Sequence, residues 1–119
     1  MSRAVGTWGE AQTAVYLRKK GCRLLAHSYH CRFGEIDLIA QDKNTLCFVE
    51  VKTRSNLSMG LPRDYVTASK QEKIRKTAAC YLAEKELDLP VRFDVAEVYT
   101  DRDHTPSSVR IEYIPSAFE

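Results

Sequence analysis

The fold is decided by two neighbouring β-type segments within residues 34–54, GEIDLIAQDKNTLCFVEVKTR. Both segments, Glu35–Ala40 and Leu46–Arg54, are short and rich in residues that favour strands. The polar stretch between them, Gln41–Thr45, contains an aspartate and an asparagine, which favour turns. Two such runs around a short polar turn predict an antiparallel hairpin.

The alternation of side chains along a strand assigns the residues of this hairpin to faces. One face of the second segment begins apolar and becomes charged: Leu46, Phe48, Glu50, Lys52 and Arg54. Its other face is apolar: Cys47, Val49 and Val51. In the first segment one predicted face is Glu35, Asp37 and Ile39, and the other is Ile36, Leu38 and Ala40. We expect the second strand to be buried at its start and to open into a cleft at its end.

The turn sets the register of the hairpin. A turn centred on Lys43 and Asn44 places Asp37 opposite Glu50. Directly paired side chains have Cβ atoms about 4.5–5.5 Å apart, and like charges at that distance are destabilising. Two carboxylates on a partly buried face therefore need a shared proton, a cation, or both. Mg²⁺ suits such a pair, because it takes one or two carboxylates together with water and phosphate oxygens.

Lys52 follows Glu50 by two residues on the same predicted face. Its ammonium group can balance the carboxylates, orient an attacking water, or stabilise charge that develops on a phosphate. An acid–acid–lysine group suits metal-assisted hydrolysis of a phosphodiester. The same residues also fit an ordinary cross-strand charge network in which Glu35 pairs with Lys52, and the spacing alone does not decide between the two.

The remaining pattern predicts two helices and three further strands. The first helix is predicted from Trp8 to Lys20, with Thr7 as N-cap, Glu10 as its capping-box partner and Gly21 as the stop. A strand follows over Cys22–Tyr29. The later elements are a loop over 55–64, a helix over 68–87 capped by Thr67 or Ser69, and strands over Val91–Thr100 and Val109–Ile114. This order predicts a mixed sheet flanked by helices.

Length and composition predict one globular domain over residues 1–119. The chain is 44% hydrophobic and 29% charged, which argues against disorder. No apolar run approaches the roughly 18 residues of a membrane span, and the N-terminus lacks the apolar region of a secretory signal. We therefore expect a cytoplasmic protein without a membrane partner, whose four cysteines are reduced. The spacing of Cys22, His27, His30 and Cys31 does not favour a zinc site.

Charge is unevenly distributed along the chain. The formal net charge is only +2, but residues 52–76 carry seven bases and two acids, a net charge of +5. Residues 84–119 carry nine acids and four bases, a net charge of −5. A locally basic segment on a nearly neutral protein fits a polyanion-binding face, and it fits a solvated helix face equally well.

Five short motifs together resemble the YraN family. They are G-x-x-G-E at residues 6–10, G-E-I-D-L-I-A at 34–40, F-V-E-V-K-T-R at 48–54, K-x-x-K-I at 70–74 and F-D-V at 93–95. This largely uncharacterised bacterial family is related to the PD-(D/E)xK, or restriction-endonuclease-like, nucleases, and its order of elements is similar to that of archaeal Holliday junction resolvases. The resemblance implies an α/β fold with an αβββαβ core. Ile36 stands where the superfamily pattern has proline, and residues 27–32 depart from the family's usual asparagine and arginine.

The resemblance also implies roles for individual residues. Asp37 and Glu50 would be metal ligands, with the main-chain carbonyl of Val51 as a further ligand, and Lys52 would be the catalytic lysine. Glu10 would match the helical acid that contacts the metal or its waters. The residues implied to contact nucleic acid are Arg54, Lys70 and Lys73.

We therefore predict a Mg²⁺- or Mn²⁺-dependent nuclease that acts on DNA, with branched or repair intermediates as substrates recognised by shape and a homodimer as a candidate assembly. The alternative is a non-catalytic module of the same fold that binds nucleic acid or a repair partner. A third interpretation is a scaffold whose charge network only stabilises the fold. A shared fold does not by itself decide among these functions.

Overall fold

The computed structural model describes residues 3–55, 66–101, 103 and 108–119. Within them lie two helices and five strands: α1 (Arg3–Lys19), β1 (Arg23–Cys31), β2 (Gly34–Asp42), β3 (Thr45–Ser55), α2 (Ala68–Glu84), β4 (Val91–Thr100) and β5 (Arg110–Phe118). The strands form one sheet in the order β1-β2-β3-β4-β5. The β3–β4 pair is parallel and the other pairs are antiparallel. This confirms the mixed sheet and the αβββαβ core. Of the loop predicted over 55–64, Ser55 is the last residue of β3, and the rest lies outside the described residues.

The first helix begins earlier than the capping pattern predicts. Because α1 starts at Arg3, Thr7 lies inside the helix and the predicted N-cap with its Glu10 partner is wrong. The helix stop is confirmed, since Gly21 has φ of 91° and the N–H of Cys22 donates to the carbonyl of Leu17 at 2.9 Å. Glu10 is therefore free of a capping role, and its side chain can serve another purpose.

A close approach fixes α1 over the sheet. Gly9 is buried on the face of α1 that meets β3, and a Cβ atom at this position would overlap Oγ1 of Thr53. Glycine is therefore required here for the distance between helix and sheet. This contact gives a physical reason for the second glycine of the G-x-x-G-E motif, and it brings the following residue, Glu10, near the sheet.

The sheet separates two apolar layers. One layer packs against α2 and contains Ile39, Leu46, Phe48, Ile74 and Tyr81 among others. The other packs against α1 and contains Leu17, Leu38, Ala40, Cys47 and Val49 among others. The predicted faces of β3 are therefore confirmed. No helix in the described residues combines the length and the apolar character needed to cross a membrane.

The second helix begins at its predicted cap. Thr67 has an extended backbone, and its hydroxyl accepts a hydrogen bond from the N–H of Lys70 at 3.2 Å. The helix ends at Glu84, three residues before the predicted end at Leu87. The cap fixes where α2 starts, and the start of α2 is the end that lies near the charged part of β3.

The edge strand β5 is held by a buried aspartate of β4. The pairing of the two strands shifts between Phe93 and Val95. Asp94, which is fully buried, accepts hydrogen bonds from the N–H of Ser116 at 2.9 Å and from the hydroxyl of Tyr113. The guanidinium of Arg92 contacts both carboxylate oxygens of Asp94 at 3.0–3.1 Å. Every oxygen of this carboxylate is therefore partnered, and the irregularity in β5 is stabilised.

Candidate active site

The candidate site lies where β2 and β3 separate. Their pairing runs from Asp42↔Thr45 to Leu38↔Val49, which confirms the predicted turn and register. Directly beyond the last pair, the carboxylate of Asp37 accepts a hydrogen bond from the N–H of Val51 at 2.8 Å. A side chain thus takes the place of a backbone partner at the point where the ladder ends.

The alternation of β2 breaks at the same place. Ile36 packs in the α2-side layer together with Ile39, so its predicted grouping with Leu38 is wrong. The neighbouring strand is irregular too, because Ser28 has φ of 50° in β1 between the paired residues His27 and Tyr29. The prediction assumed an unbroken period of two, whereas the hydrogen bond from Val51 to Asp37 accompanies a local break.

Glu50 is a buried acid with incomplete partners. It is 6% exposed, and its Oε1 atom lies 3.3 Å from Nζ of Lys70. Its Oε2 atom is buried and has no hydrogen-bond partner. Burial and then the charge of Asp37 raise the pKa of Glu50 to about 7, against the opposing effects of Lys70 and Lys52. The site therefore holds a carboxylate that is costly to ionise without a further cation.

Asp37 shares this electrostatic environment. Burial raises its pKa, the hydrogen bond from Val51 lowers it, Glu35 raises it, and the charges of Lys70 and Lys52 lower it, with a net rise. Asp37 and Glu50 thus repel each other across the gap between their strands. The predicted compensation of two close carboxylates is only partly supplied by the lysines of the chain.

Lys52 lies within electrostatic reach of both acids. Its side chain is half-buried, and its charge lowers the pKa of Asp37 and that of Glu50. The ion pair to Glu50 is made by Lys70, at the start of α2. Lys52 therefore lies close enough to the acid pair for its charge to stabilise the ionised carboxylates.

Glu10 approaches the site from α1. Its Oε1 atom accepts a hydrogen bond from the Ser28 hydroxyl at 3.4 Å. Burial raises the pKa of Glu10, and the charges of Asp37 and Glu35 raise it further. The structure therefore brings Glu10, Ser28 and Asp37 into one neighbourhood.

Ser28 is the residue that sequence reasoning missed. It lies opposite Asp37 in β1, between the pairs His27↔Leu38 and Tyr29↔Ile36. The only sequence signal would have been this cross-strand position, and the register of β1 could not be set without the structure.

The main chain of Val51 also faces the gap. In an antiparallel pair a residue exchanges both its N–H and its C=O with one neighbour, so the two groups point to the same side of the strand. Because the Val51 N–H points to Asp37 of β2, its carbonyl points to that side as well. The predicted third ligand is therefore directed toward the acid pair.

The acid pair fits a hard divalent cation. Among the described residues, no group of three or more His, Cys, Asp or Glu side chains is arranged to hold a metal. Mg²⁺ needs only one or two carboxylates, with water and substrate oxygens completing its shell. The unpartnered Oε2 atom of buried Glu50 is the observation that matches this need. Asp37, Glu50 and the Val51 carbonyl would hold the ion.

The predicted nucleic-acid contacts have different surroundings. Lys73 is exposed on α2, and Lys70 is about half exposed while it pairs with Glu50. Arg54 is largely buried and forms an ion pair of 3.2 Å with the fully buried Glu97 of β4. Lys73 is thus exposed on α2, the half-exposed Lys70 is already paired with Glu50, and Arg54 is engaged within the fold.

An open groove of about 650 Å³ leads away from Glu10. It lies between α1 and β1, and its wall is mainly apolar, with Leu24, Leu38 and the exposed Val15. Its polar lining is Thr7, Glu10, Arg18, His27 and Ser28. The groove therefore borders the acid site at Glu10 and Ser28.

Comparison with known proteins gives a family without an assigned activity. Residues 9–98 match the model of the Uncharacterised protein family UPF0102, which corresponds to the YraN resemblance of the motifs. A UPF0102 protein of Syntrophus aciditrophicus is 46% identical over 115 residues, covering 96% of this chain and 87% of the relative. One of Acetivibrio thermocellus is 43% identical over 119 residues, covering 98% and 92%. One of Nocardia farcinica is 44% identical over 107 residues, covering 87% and 83%.

The family match contains every residue of the candidate site, from Glu10 to Lys73. It therefore applies to the same part of the chain as the geometry described above. With a model match over most of its length and several relatives above 40% identity, this chain belongs to the Uncharacterised protein family UPF0102.

Proposed function

We propose that this protein hydrolyses phosphodiester bonds of DNA with the help of Mg²⁺ or Mn²⁺. The observation that carries the proposal is the buried Oε2 atom of Glu50, which has no hydrogen-bond partner. Burial, and then the charge of Asp37, raise the pKa of the same carboxyl group to about 7. A protein that used this pair only for stability would be expected to satisfy it. The under-partnered acids favour a bound cation.

Each residue of the acid site has a separate role in the proposed hydrolysis. Asp37 is oriented by the Val51 N–H, so its carboxylate is held in place before any ligand binds. Asp37, Glu50 and the Val51 carbonyl would hold a divalent cation, which would supply a water of lowered pKa and stabilise negative charge on the phosphate. Lys52, beside both acids, orients the attacking water or neutralises the developing charge.

Two lysines of α2 would contact the DNA backbone. Lys73 is exposed, and Lys70 is half exposed, so each can reach a phosphate. Such contacts give affinity that depends on salt but no choice of sequence. A domain of this size that grips phosphates fits a substrate recognised by its shape, such as a branched or nicked duplex, and two copies would fit the symmetry of a junction.

The first experiment measures the cation alone. Calorimetric titration of Mn²⁺ into the wild-type protein should give saturable binding that is lost in Asp37→Asn. The matched control is Glu112→Gln, an exposed acid on the opposite edge strand, which should bind as the wild type does. Circular dichroism checks that each variant is folded. If the wild type binds no Mn²⁺ even with DNA present, the proposal is wrong.

The second experiment measures cleavage. Labelled branched, nicked and single-stranded DNA should be cut only with Mg²⁺ or Mn²⁺ present. Lys52→Ala should lose at least about 10²-fold in rate while it retains DNA binding, because an electrostatic contact in the transition state is removed. Cutting that persists in Lys52→Ala would assign that lysine a different role.

One observation favours the alternative, a non-catalytic DNA-binding module. Lys70 already forms an ion pair with Glu50, so a cation of the chain itself occupies part of the acid site. In that case Asp37→Asn and Lys52→Ala would leave DNA binding intact, and the wild type would cut no substrate. The Mn²⁺ titration separates the two, because the module requires no divalent ion.

A further inference from the structure

Two cysteines meet where the end of β1 contacts α2. Cys31 is the last residue of β1, and Cys80 lies on α2. Both are free and neither is fully buried. The two thiols lie close enough for each to affect the pKa of the other. The pair is separate from the acid site described above.

Aromatic contacts hold the two elements in this arrangement. Tyr29 packs edge-on against Tyr81, with ring centroids 5.1 Å apart. Its hydroxyl also donates a hydrogen bond to Oε2 of Glu84 at 2.6 Å. Since Tyr29 precedes Cys31 by two residues and Tyr81 follows Cys80 directly, these contacts hold the end of β1 that carries Cys31 against the part of α2 that carries Cys80.

The sulfur of Cys31 lies among hydrogen-bond donors. The N–H of Phe33 donates to it at 3.4 Å. Burial raises its pKa, but hydrogen bonds from Phe33, Cys80, Thr77 and Gly34 outweigh that effect, so the pKa of Cys31 lies below its usual value. The two thiols therefore differ in character, since the pKa of Cys80 is raised, chiefly by its bond to Cys31.

The other cysteines provide an internal contrast. Burial raises the pKa of Cys22 above its usual value. Burial raises the pKa of Cys47, a fully buried residue, to about 12. Neither has the set of donors that surrounds Cys31, so a reagent that selects for thiolate should distinguish them.

We propose that Cys31 and Cys80 form a redox-active dithiol site whose substrate is a low-molecular-weight disulfide of the glutathione type. The Cys31 thiolate attacks one sulfur of that disulfide, whose S–S bond breaks as the first small thiolate leaves. Cys80 then loses its proton to solvent and attacks the Cys31 sulfur, which expels the second small thiolate. The protein gives up two electrons and two protons, and the small disulfide becomes two thiols.

The product would join β1 covalently to α2. A disulfide between residues 31 and 80 closes a long loop, which restricts the unfolded chain. Oxidation should therefore raise the melting temperature by about 5 °C or more in a domain of this size. Since α2 also carries Lys70, the oxidised form would fix the helix that pairs with Glu50.

The test uses the full chain and oxidised glutathione. Intact-mass analysis without reductant should show the loss of two hydrogens, and peptide mapping should find Cys31 linked to Cys80. Cys80→Ser should stop at a single glutathione adduct on Cys31, whereas Cys22→Ser should react as the wild type does. Adducts spread evenly over the accessible cysteines, or no linked peptide, would overturn the proposal.

A second measurement needs no variant. In the reduced wild-type protein, limited iodoacetamide at neutral pH should alkylate Cys31 at least about tenfold faster than Cys22, because the thiolate is the reacting form. The same samples, mapped by mass spectrometry, report Cys47 as a buried reference. Equal rates at Cys31 and Cys22 would show that the donors around Cys31 do not produce a reactive thiolate, and would contradict the proposed chemistry.

Discussion

The chain places an aspartate at each of two strand irregularities, and the two sites differ in how completely their acids are partnered. Asp94 accepts the N–H of Ser116, as Asp37 accepts the N–H of Val51. Around Asp94, an arginine and a tyrosine complete the set of donors. Around Asp37, the neighbouring acid Glu50 keeps one buried oxygen without a partner.

The contrast separates a structural acid from a candidate functional one. A buried polar network in which every group has a hydrogen-bond partner stabilises a fold. A buried charge without a partner costs free energy, and it is retained where a bound ligand offsets that cost. The network around Asp94 is therefore expected to behave as part of the core. The pair of Asp37 and Glu50 is expected to behave as a site that is strained until a cation binds.

The largest predicted effect is a loss of stability when Asp94 is removed from its fully hydrogen-bonded network. Asp94→Ala leaves the Arg92 guanidinium, which is mostly buried, without its main partner and frees the N–H of Ser116. Breaking one partner of a buried ion pair costs about 3–5 kcal/mol of unfolding free energy. Urea denaturation measures the loss. A cost below about 1 kcal/mol would remove the contrast on which the comparison depends.

The second largest predicted effect is a gain in stability when Glu50 is replaced. The folded-state pKa of Glu50 is about 7, above its unfolded value near 4.5, so the folded protein binds more protons between these values. Its contribution to stability therefore falls as pH rises through this window and stays low above it. Glu50→Gln removes that cost, and should stabilise the protein by about 1–3 kcal/mol at pH 8.

The pH dependence is the control for this variant. Well below pH 4.5 the Glu50 carboxyl is protonated in both the folded and the unfolded chain, so the wild type and Glu50→Gln should unfold at the same denaturant concentration. Loss of the ion pair with Glu50 costs little free energy at Lys70, because the Lys70 side chain is about half exposed to solvent. A variant that is less stable than the wild type at pH 8 would mean that Glu50 is a structural acid like Asp94.

A smaller loss of stability is predicted when a single hydrogen bond of the Asp94 network is removed. Tyr113→Phe removes the hydroxyl that donates to Asp94 but keeps the ring, which stacks on Tyr16 with centroids 5.6 Å apart. One buried hydrogen bond of this kind is worth about 0.5–1.5 kcal/mol. Thermal unfolding should show a modest drop in melting temperature, with Mn²⁺ binding unchanged. A change in Mn²⁺ affinity would show that the two regions are coupled.

The smallest effect is expected at Glu35. This acid is exposed, although its charge raises the pKa of Asp37 and that of Glu10. Glu35→Gln should change the unfolding free energy by less than about 0.5 kcal/mol. Mn²⁺ affinity should fall only slightly, as one nearby negative charge is lost. Calorimetry that showed Glu35→Gln to be as damaging as Asp37→Asn would place Glu35 among the ligands.

Sequence by itself determined the features that depend on local pattern. The turn at Lys43 and Asn44 fixed the register of the hairpin, so the neighbourhood of Asp37 and Glu50 could be predicted from residue numbers alone. The same is true of the cap at Thr67 and of the faces of β3. These are decided by residues close together in the chain.

Only the tertiary structure decided the features that depend on contacts between distant elements. The start of α1 at Arg3 replaced the capping role of Glu10 with a contact to Ser28, because a local cap pattern is overridden when a longer helix packs on the sheet. The ion pair of Lys70 with Glu50 and the proximity of Cys31 to Cys80 likewise arise from packing. No spacing along the chain encodes them, since each joins segments that the fold alone brings together.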